Sequence, residues 1–365
     1  MMPALGGKVH GLRLERMRAS SRFRDGAFRN TAPVGPGLKG SPLPLLGELF
    51  FGDTVRKPPQ PLPSTDPRPG WARPAETGLR ATWLGHSTVL LELDGLRVLT
   101  DPVWGDRASP WRFAGPRRFQ PVPVPLEALP PLDAIVVSHD HYDHLDLPTV
   151  RALARSSRAP FVTSLGVGAH LEAWGVPPER IVELDWWEAA TLRGGDLVLR
   201  AAPSQHFSGR GVGDRNRTLW SSFVVETARR RVFFSGDTGL TPEYAEIRAR
   251  LGPFDLVMLE VGAFHEAWGQ IHLGPANALE ALRLLGGGKL LPVHWGTFNL
   301  ALHAWDDPAE TLLELAPRSS SGAQRAELVM PMLGQPVEPA RVEVVVPWWR
   351  AAGAPAVAPR EDAAL

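Results

Sequence analysis

From Ser138 the chain reads Ser-His-Asp-His-Tyr-Asp-His, so His139, His141, Asp143 and His144 place four potential metal ligands within six residues. Neutral imidazole and carboxylate together suit Zn²⁺. Cysteine is absent, which removes thiolate metal sites, thiol nucleophiles and disulfides at once. A site built from His and Asp alone is expected to be hydrolytic rather than structural. In an extended stretch alternate side chains point the same way. His139 and His141 therefore address one point, and after the chain turns Asp143 and His144 can address another. One ion rarely takes four ligands from so short a loop, whereas two adjacent ions do.

Three later segments place matching residues where apolar runs end. Ala202-Pro203-Ser204-Gln205-His206 follows an expected strand over 197–201. Phe233-Phe234-Ser235-Gly236-Asp237-Thr238-Gly239 sets Asp237 just past another, and Leu291-Pro292-Val293-His294-Trp295-Gly296 does the same for His294. Each alone is weak, because a His after a strand is usually a hydrogen-bonded structural residue. Together, four strand ends bring five His and two Asp to one rim. Gly209, Gly211 and Gly213 do not open a helix after a strand, as a dinucleotide fingerprint requires, so 209–214 is expected to be a flexible loop. Arg210 and Arg217 beside it are read as solvated.

The elements that must carry these residues are legible as apolar runs between turns. Strands are expected over 81–84, 89–93, 97–100, 134–137, 161–163, 181–184, 197–201, 222–227, 231–235, 256–260, 290–293 and 342–346. Asp94-Gly95 reads as a hairpin turn. Helices are expected over 147–154, 168–174, 242–251, 275–285 and 307–315. Hairpins come first and strands then alternate with helices. That order fits an α/β fold of two mixed sheets with helices outside better than one doubly wound sheet. Residues 1–75 read as a basic, Pro/Gly-rich N-terminal arm, 76–350 as the catalytic domain and 351–365 as a disordered tail.

Composition narrows the function. The 365 residues carry 39 Lys+Arg and 39 Asp+Glu, and a general nucleic-acid binder usually shows a basic excess, so no nucleic-acid partner is expected. No apolar run reaches about 18 residues, the length of a membrane-spanning helix, and the basic N-terminus lacks a signal peptide's apolar core. The expectation is a cytoplasmic protein; the apolar stretch LPLLGELFF over 43–51 reads first as a segment packed over the main domain and second as an element for peripheral contact at the inner membrane face.

In this order, HDHYDH, SQH, FSGDTG and PVHWGTF resemble the metallo-β-lactamase superfamily, and within it the branch containing N-acylphosphatidylethanolamine-hydrolysing phospholipase D. TWLGHSTVLLELDG (82–95), DPVWGDRASP (101–110), GPRRF (115–119), LPPLDAIVVSHDHYDHLD (129–146) and GPFDLVMLEVGAF (252–264) extend the likeness. The resemblance implies a four-layer αββα sandwich and two Zn²⁺ per chain. It assigns His139, His141 and His206 to one ion, Asp143, His144 and His294 to the other, and Asp237 as the bridge. It further implies that Asp101 braces the His-rich loop from behind, that His86 stands behind the ligands, and that His272 faces the substrate. Asp143 and His272 become the candidates for proton delivery. The implied activity is a phosphodiesterase of the phospholipase D type in lipid metabolism. A hydrolase of a small soluble ester or lactone is the alternative, and a nuclease is less favoured. His10, His170, His265 and His303 are read as ordinary, and Asp146 as lying outside the ligand pattern.

Overall fold

A computed structural model of the protein describes residues 3–34, 54–318 and 325–353. The Leu43–Phe51 stretch lies outside the described residues.

The strands are β1 Phe23–Arg24, β2 Ala27–Phe28, β3 Leu79–Gly85, β4 Thr88–Leu93, β5 Leu96–Thr100, β6 Ala134–Val137, β7 Phe161–Ser164 and β8 Ile181–Leu184. They continue with β9 Ala189–Leu192, β10 Leu197–Ala202, β11 Ser222–Glu226, β12 Arg231–Phe234, β13 Leu256–Glu260, β14 Gly288–Val293, β15 Ala326–Leu328 and β16 Pro336–Val337. Two seven-stranded sheets result, in the orders β16-β3-β4-β5-β6-β7-β8 and β15-β14-β13-β12-β11-β10-β9. Each is mixed. In the first sheet β16 to β5 pair antiparallel and β5 to β8 parallel. In the second, β9 to β12 pair antiparallel and β12 to β15 parallel.

The period of two in strand side chains explains the layers. Leu90, Leu99, Ile135 and Val137 point to one face of the first sheet, where they meet Val150, Leu153 and Leu171 of the helices Leu147–Ser156 and Gly168–Ala173. Their neighbours Val89, Leu91, Val98 and Val136 point to the other face, into the core shared with Leu199, Phe223, Val225 and Phe234 of the second sheet. Helices Glu243–Leu251, Gly274–Leu284 and Asp307–Leu315 cover the far side of that sheet. The architecture is the αββα sandwich. Both faces of the central strands are covered, so β3, β4, β6 and β13 are buried along their whole length. The β4–β5 turn has positive φ at both Asp94 and Gly95, the backbone a two-residue turn between right-twisted strands demands.

One expected strand is missing. Residues 342–346 form no ladder, and Val344 and Val346 stand 77% and 68% exposed. The position beside β3 is taken by β16, and the run at 342–346 pairs with neither sheet. Edge strands β9, β15 and β16 are short and carry no apolar run, so they escaped the pattern.

Residues 3–34 are docked on the domain. They include the helix Gly11–Ala19 and the hairpin β1–β2. Arg13 pairs with Glu183 at 2.5 Å and Glu172 at 2.9 Å, and the Trp174 indole donates to Pro3 O at 2.7 Å. Met17 and Phe28 complete a small core with Leu165, Trp186, Leu219 and Trp220. At the other end, Arg350–Gly353 form a helical turn with Ala352 buried; the rest of the expected tail lies outside the described residues.

Candidate metal centre

The 138–144 loop leaves β6 at the sheet edge, and Asp101, at the end of β5, holds it at two points. Asp101 accepts from Ser138 N at 2.7 Å and Ser138 Oγ at 2.6 Å, and from His144 Nδ1 at 2.7 Å. Burial lifts the Asp101 carboxyl above its usual range even against the hydrogen bonds from His144 and Ser138. A carboxylate that accepts from Nδ1 fixes the imidazole tautomer and turns Nε2 outward as the free donor atom.

The structure brings the seven expected ligands together in two sets. In the first, His141 Nδ1 lies 2.9 Å from His139 Nε2 and 3.2 Å from His206 Nε2. Asp237 Oδ2 stands 3.8 and 3.7 Å from those same His139 and His206 atoms. In the second, Asp143 Oδ2 lies 3.5 Å from His144 Nε2 and 3.3 Å from His294 Nε2. Asp237 reaches this set too, with Oδ1 3.1 Å from His144 Nε2 and Oδ2 3.2 Å from His294 Nε2. Within each set one donor atom from every residue falls within 4.8 Å of the others.

His86 joins the second set. Its Nε2 lies 2.9 Å from Asp143 Oδ2, and its ring centroid is 4.0 Å from that of His294. Burial pushes His86 down to about 3, so the neutral ring donates to Asp143 and props it from behind. His272 stands beside both sets, its ring 5.1 Å from His206 and 5.4 Å from His294.

The donor set fits cations. His144 Nε2 and Asp237 Oδ1 are buried, lie 3.1 Å apart and have no hydrogen-bond partner, whereas buried polar atoms are ordinarily satisfied. The charges agree. Burial drives His139, His206 and His141 below the ordinary imidazole value, so they are neutral donors. Burial would raise Asp143 and Asp237, but His144 and His294 hold both well below the usual carboxylate range. Burial likewise opposes charge on His144 and His294, yet Asp237 and Asp143 raise both, His294 to about 10. Two carboxylates, Asp237 buried and Asp143 partly so, thus demand positive charge. Protons on these imidazoles supply it when no cation is bound, and a cation would displace them.

Four residues play parts that sequence reasoning did not assign. Glu260, fully buried at the end of β13, accepts from Leu273 N at 2.9 Å and Thr238 N at 3.3 Å, and lies 3.1 Å from His272 Nδ1. Its signal was present: it ends an apolar strand as Asp237 follows one. Asp140, between the two loop histidines, accepts from Gly209 N and Thr218 Oγ1, each at 2.8 Å. Arg210 is not solvated. The 209–214 loop folds back, and the buried guanidinium donates to Asp140 O, to Leu145 O at 3.0 Å and to Ala4 O at 2.9 Å. It also lies over the Tyr142 ring at 4.0 Å, so it ties the back of the metal loop to the N-terminal segment. Arg217 is exposed as expected. Asp146 caps the helix Leu147–Ser156 by accepting from Thr149 N at 3.0 Å, and also accepts from Gly105 N at 3.2 Å. His303 accepts from Ala263 N at 3.1 Å, and His170 lies 3.5 Å from Asp140; neither enters a donor set.

Residues 96–295 match the model of the Beta-lactamase superfamily domain. The chain belongs to that superfamily. It is 45% identical over 352 residues to a protein of Mycobacterium tuberculosis, covering 95% of this chain and 92% of that one. It is 39% identical over 251 residues to the N-acyl-phosphatidylethanolamine-hydrolyzing phospholipase D 1 of Caenorhabditis elegans, covering 66% of this chain and 70% of that one. Among solved structures, a metallo hydrolase of Ignicoccus hospitalis superposes with a TM-score of 0.53 at 20% identity, over 71% of this chain and 97% of that one; that likeness speaks to the fold. The protein is a metal-dependent hydrolase of the β-lactamase superfamily, and its His/Asp clusters lie at the sheet edges where that architecture leaves loops free to converge.

Proposed function

We propose that this hydrolase is a two-zinc phosphodiesterase of the phospholipase D type, acting on N-acyl phosphatidylethanolamine or a related phospholipid. The observation that carries the two-ion reading is Asp237, whose carboxylate stands between two complete donor sets. His139, His141 and His206 would hold one ion and Asp143, His144 and His294 the other, with Asp237 shared. Zinc in such a site lowers the pKa of water to about 7 and offsets charge on a phosphoryl group.

The chain's own groups supply the rest. His86 and Asp101 keep Asp143 and His144 turned toward the centre. Asp143 Oδ2 is already engaged by His86 and His294, which leaves His272 the freer proton carrier. Its Nδ1 faces Glu260, which leaves the Nε2 lone pair to take up a proton from the attacking water and then pass that proton to the leaving oxygen. Similarity to the C. elegans enzyme supports the lipid class. So do Trp111 and Phe113, 48% and 81% exposed beside Arg107, Arg112 and Arg117: aromatic and cationic groups suit a phospholipid headgroup layer. Among the described residues no helix is long and apolar enough to cross a membrane.

The test is a panel assay of the zinc-loaded protein. N-acyl phosphatidylethanolamine should yield phosphatidate and N-acylethanolamine. Turnover of lactones or carboxylic esters with no phosphodiester cleaved would replace this reading with the small-ester alternative.

A further inference from the structure

His206 is held through both of its backbone polar groups by one side chain. It lies in the irregular run between β10 and β11, and no backbone group among the described residues pairs with its N–H or C=O. A side chain from the N-terminal segment does both jobs. Asn30 Nδ2 donates to His206 O at 2.8 Å, and His206 N donates to Asn30 Oδ1 at 3.1 Å. The amide thus offers His206 what a neighbouring strand's peptide would: one donor and one acceptor. The same Oδ1 accepts from Trp220 Nε1 at 3.0 Å, and that indole also donates to Ser204 O at 3.0 Å, two residues before His206.

The ring has its own anchor. His206 Nδ1 donates to Ile271 O at 2.9 Å, which leaves Nε2 facing His141 and Asp237. With the backbone clamped and Nδ1 engaged, the position of Nε2 is set. Asn30 is itself held in place, since the neighbouring Phe28 is buried and its N–H donates to Asn216 O at 2.8 Å.

We propose that Asn30 is a positioning residue for the first metal site, so that the N-terminal segment, which lies outside the family-matched residues 96–295, is a working part of the metal centre. The proposal rests on reading His139, His141, His206 and Asp237 as ligands. Partners standing behind metal ligands typically contribute about 10–100-fold in affinity, and Asn30→Ala should weaken the first site by that much.

The experiment titrates zinc against a graded chelator and records the visible spectrum of the cobalt-substituted protein. In Asn30→Ala one of the two ions should be released about 10–100-fold more readily, with the first-site cobalt bands altered and the second ion retained. Arg13→Ala is the control: it cuts the segment's ion pairs with Glu172 and Glu183, far in sequence from Asn30, and should lower Tm while both ions stay. Asn30→Asp keeps the acceptor for His206 N and loses the donor to His206 O, so it should fall between the wild type and Asn30→Ala, and it carries the test if Asn30→Ala does not accumulate. Wild-type affinity and spectrum in both Asn30 variants would overturn the proposal. So would equal metal loss in Arg13→Ala, because docking of the segment rather than the amide would then be responsible. A wild-type protein that takes up no zinc would instead overturn the metal reading beneath it.

Discussion

Replacing Asp101 by asparagine changes one atom type in a fully buried side chain and should damage a metal site that Asp101 never touches. Its carboxylate accepts three hydrogen bonds, two from Ser138 and one from His144 Nδ1. An asparagine oxygen can keep the bond from Ser138 N. Its NH₂ group then faces Ser138 Oγ, which can rotate to accept, and His144 Nδ1, which can accept only if the ring proton moves to Nε2. That tautomer places a proton on the atom meant for the metal. Losing one charge-assisted bond from a buried group costs about 1.5–3 kcal/mol. Second-site zinc affinity should drop about 10–100-fold, equivalent to about 1.4–2.7 kcal/mol. Chelator competition on the purified variant, read beside Tm, measures both. Asp106→Asn is the reference, because Asp106 forms an exposed pair with Arg117 at 2.9 Å and such pairs contribute about 1 kcal/mol at most. If Asp101→Asn binds two zinc ions as tightly as the wild type while only Tm falls, Asp101 merely staples the loop and the tautomer argument is wrong.

Asp237→Asn removes the negative charge of the shared carboxylate and leaves one acceptor oxygen, so kcat should fall at least ~100-fold; Asp146→Asn keeps an oxygen for Thr149 and Gly105 and should retain most activity, and steady-state kinetics of the two variants side by side checks the contrast. Zinc uptake near pH 7 should release protons from His144 and His294, both raised in the metal-free protein, so affinity should weaken on acidification; calorimetry in buffers of different ionisation enthalpy counts the protons, and zero release would contradict the charge argument. Because the folded His294 value of about 10 lies above the ordinary 6.5, its contribution to metal-free stability is full below about pH 6.5 and lost as pH rises through about 10; Tm of the chelated protein should therefore decline over that window while that of the zinc-loaded protein does not. Replacing Trp111 and Phe113 by Ser should cut turnover of vesicle-borne phospholipid several-fold and leave a soluble phosphodiester unaffected, whereas equal losses on both would remove the surface-contact reading.

Much of the centre was legible because its ligands sit at strand ends, where a short apolar run followed by His or Asp marks both the element and its rim. His139 to His144, His206, Asp237 and His294 share that pattern, and the apolar runs between turns marked the strands that carry them. What stayed hidden arrives from segments without periodicity. Asn30 lies 176 residues from His206, and Arg210 turns inward only because the 209–214 loop folds back beneath Asp140 and Leu145. An arginine in a glycine-rich loop reads as solvated, since nothing local announces the backbone carbonyls that receive it. Short edge strands were missed for a related reason. β16 pairs through two residues, too few for any pattern, while the richer run over 342–346 lacks a partner and forms no strand.

Zinc stoichiometry and ligation in the purified protein bear most directly on the central claim that one carboxylate serves two ions. Diffraction at the zinc absorption edge, with elemental analysis of the same sample, should find two ions per chain, one among His139, His141 and His206 and one among Asp143, His144 and His294, each also contacting Asp237. A single ion per chain under zinc excess, or two ions of which only one touches Asp237, would contradict it.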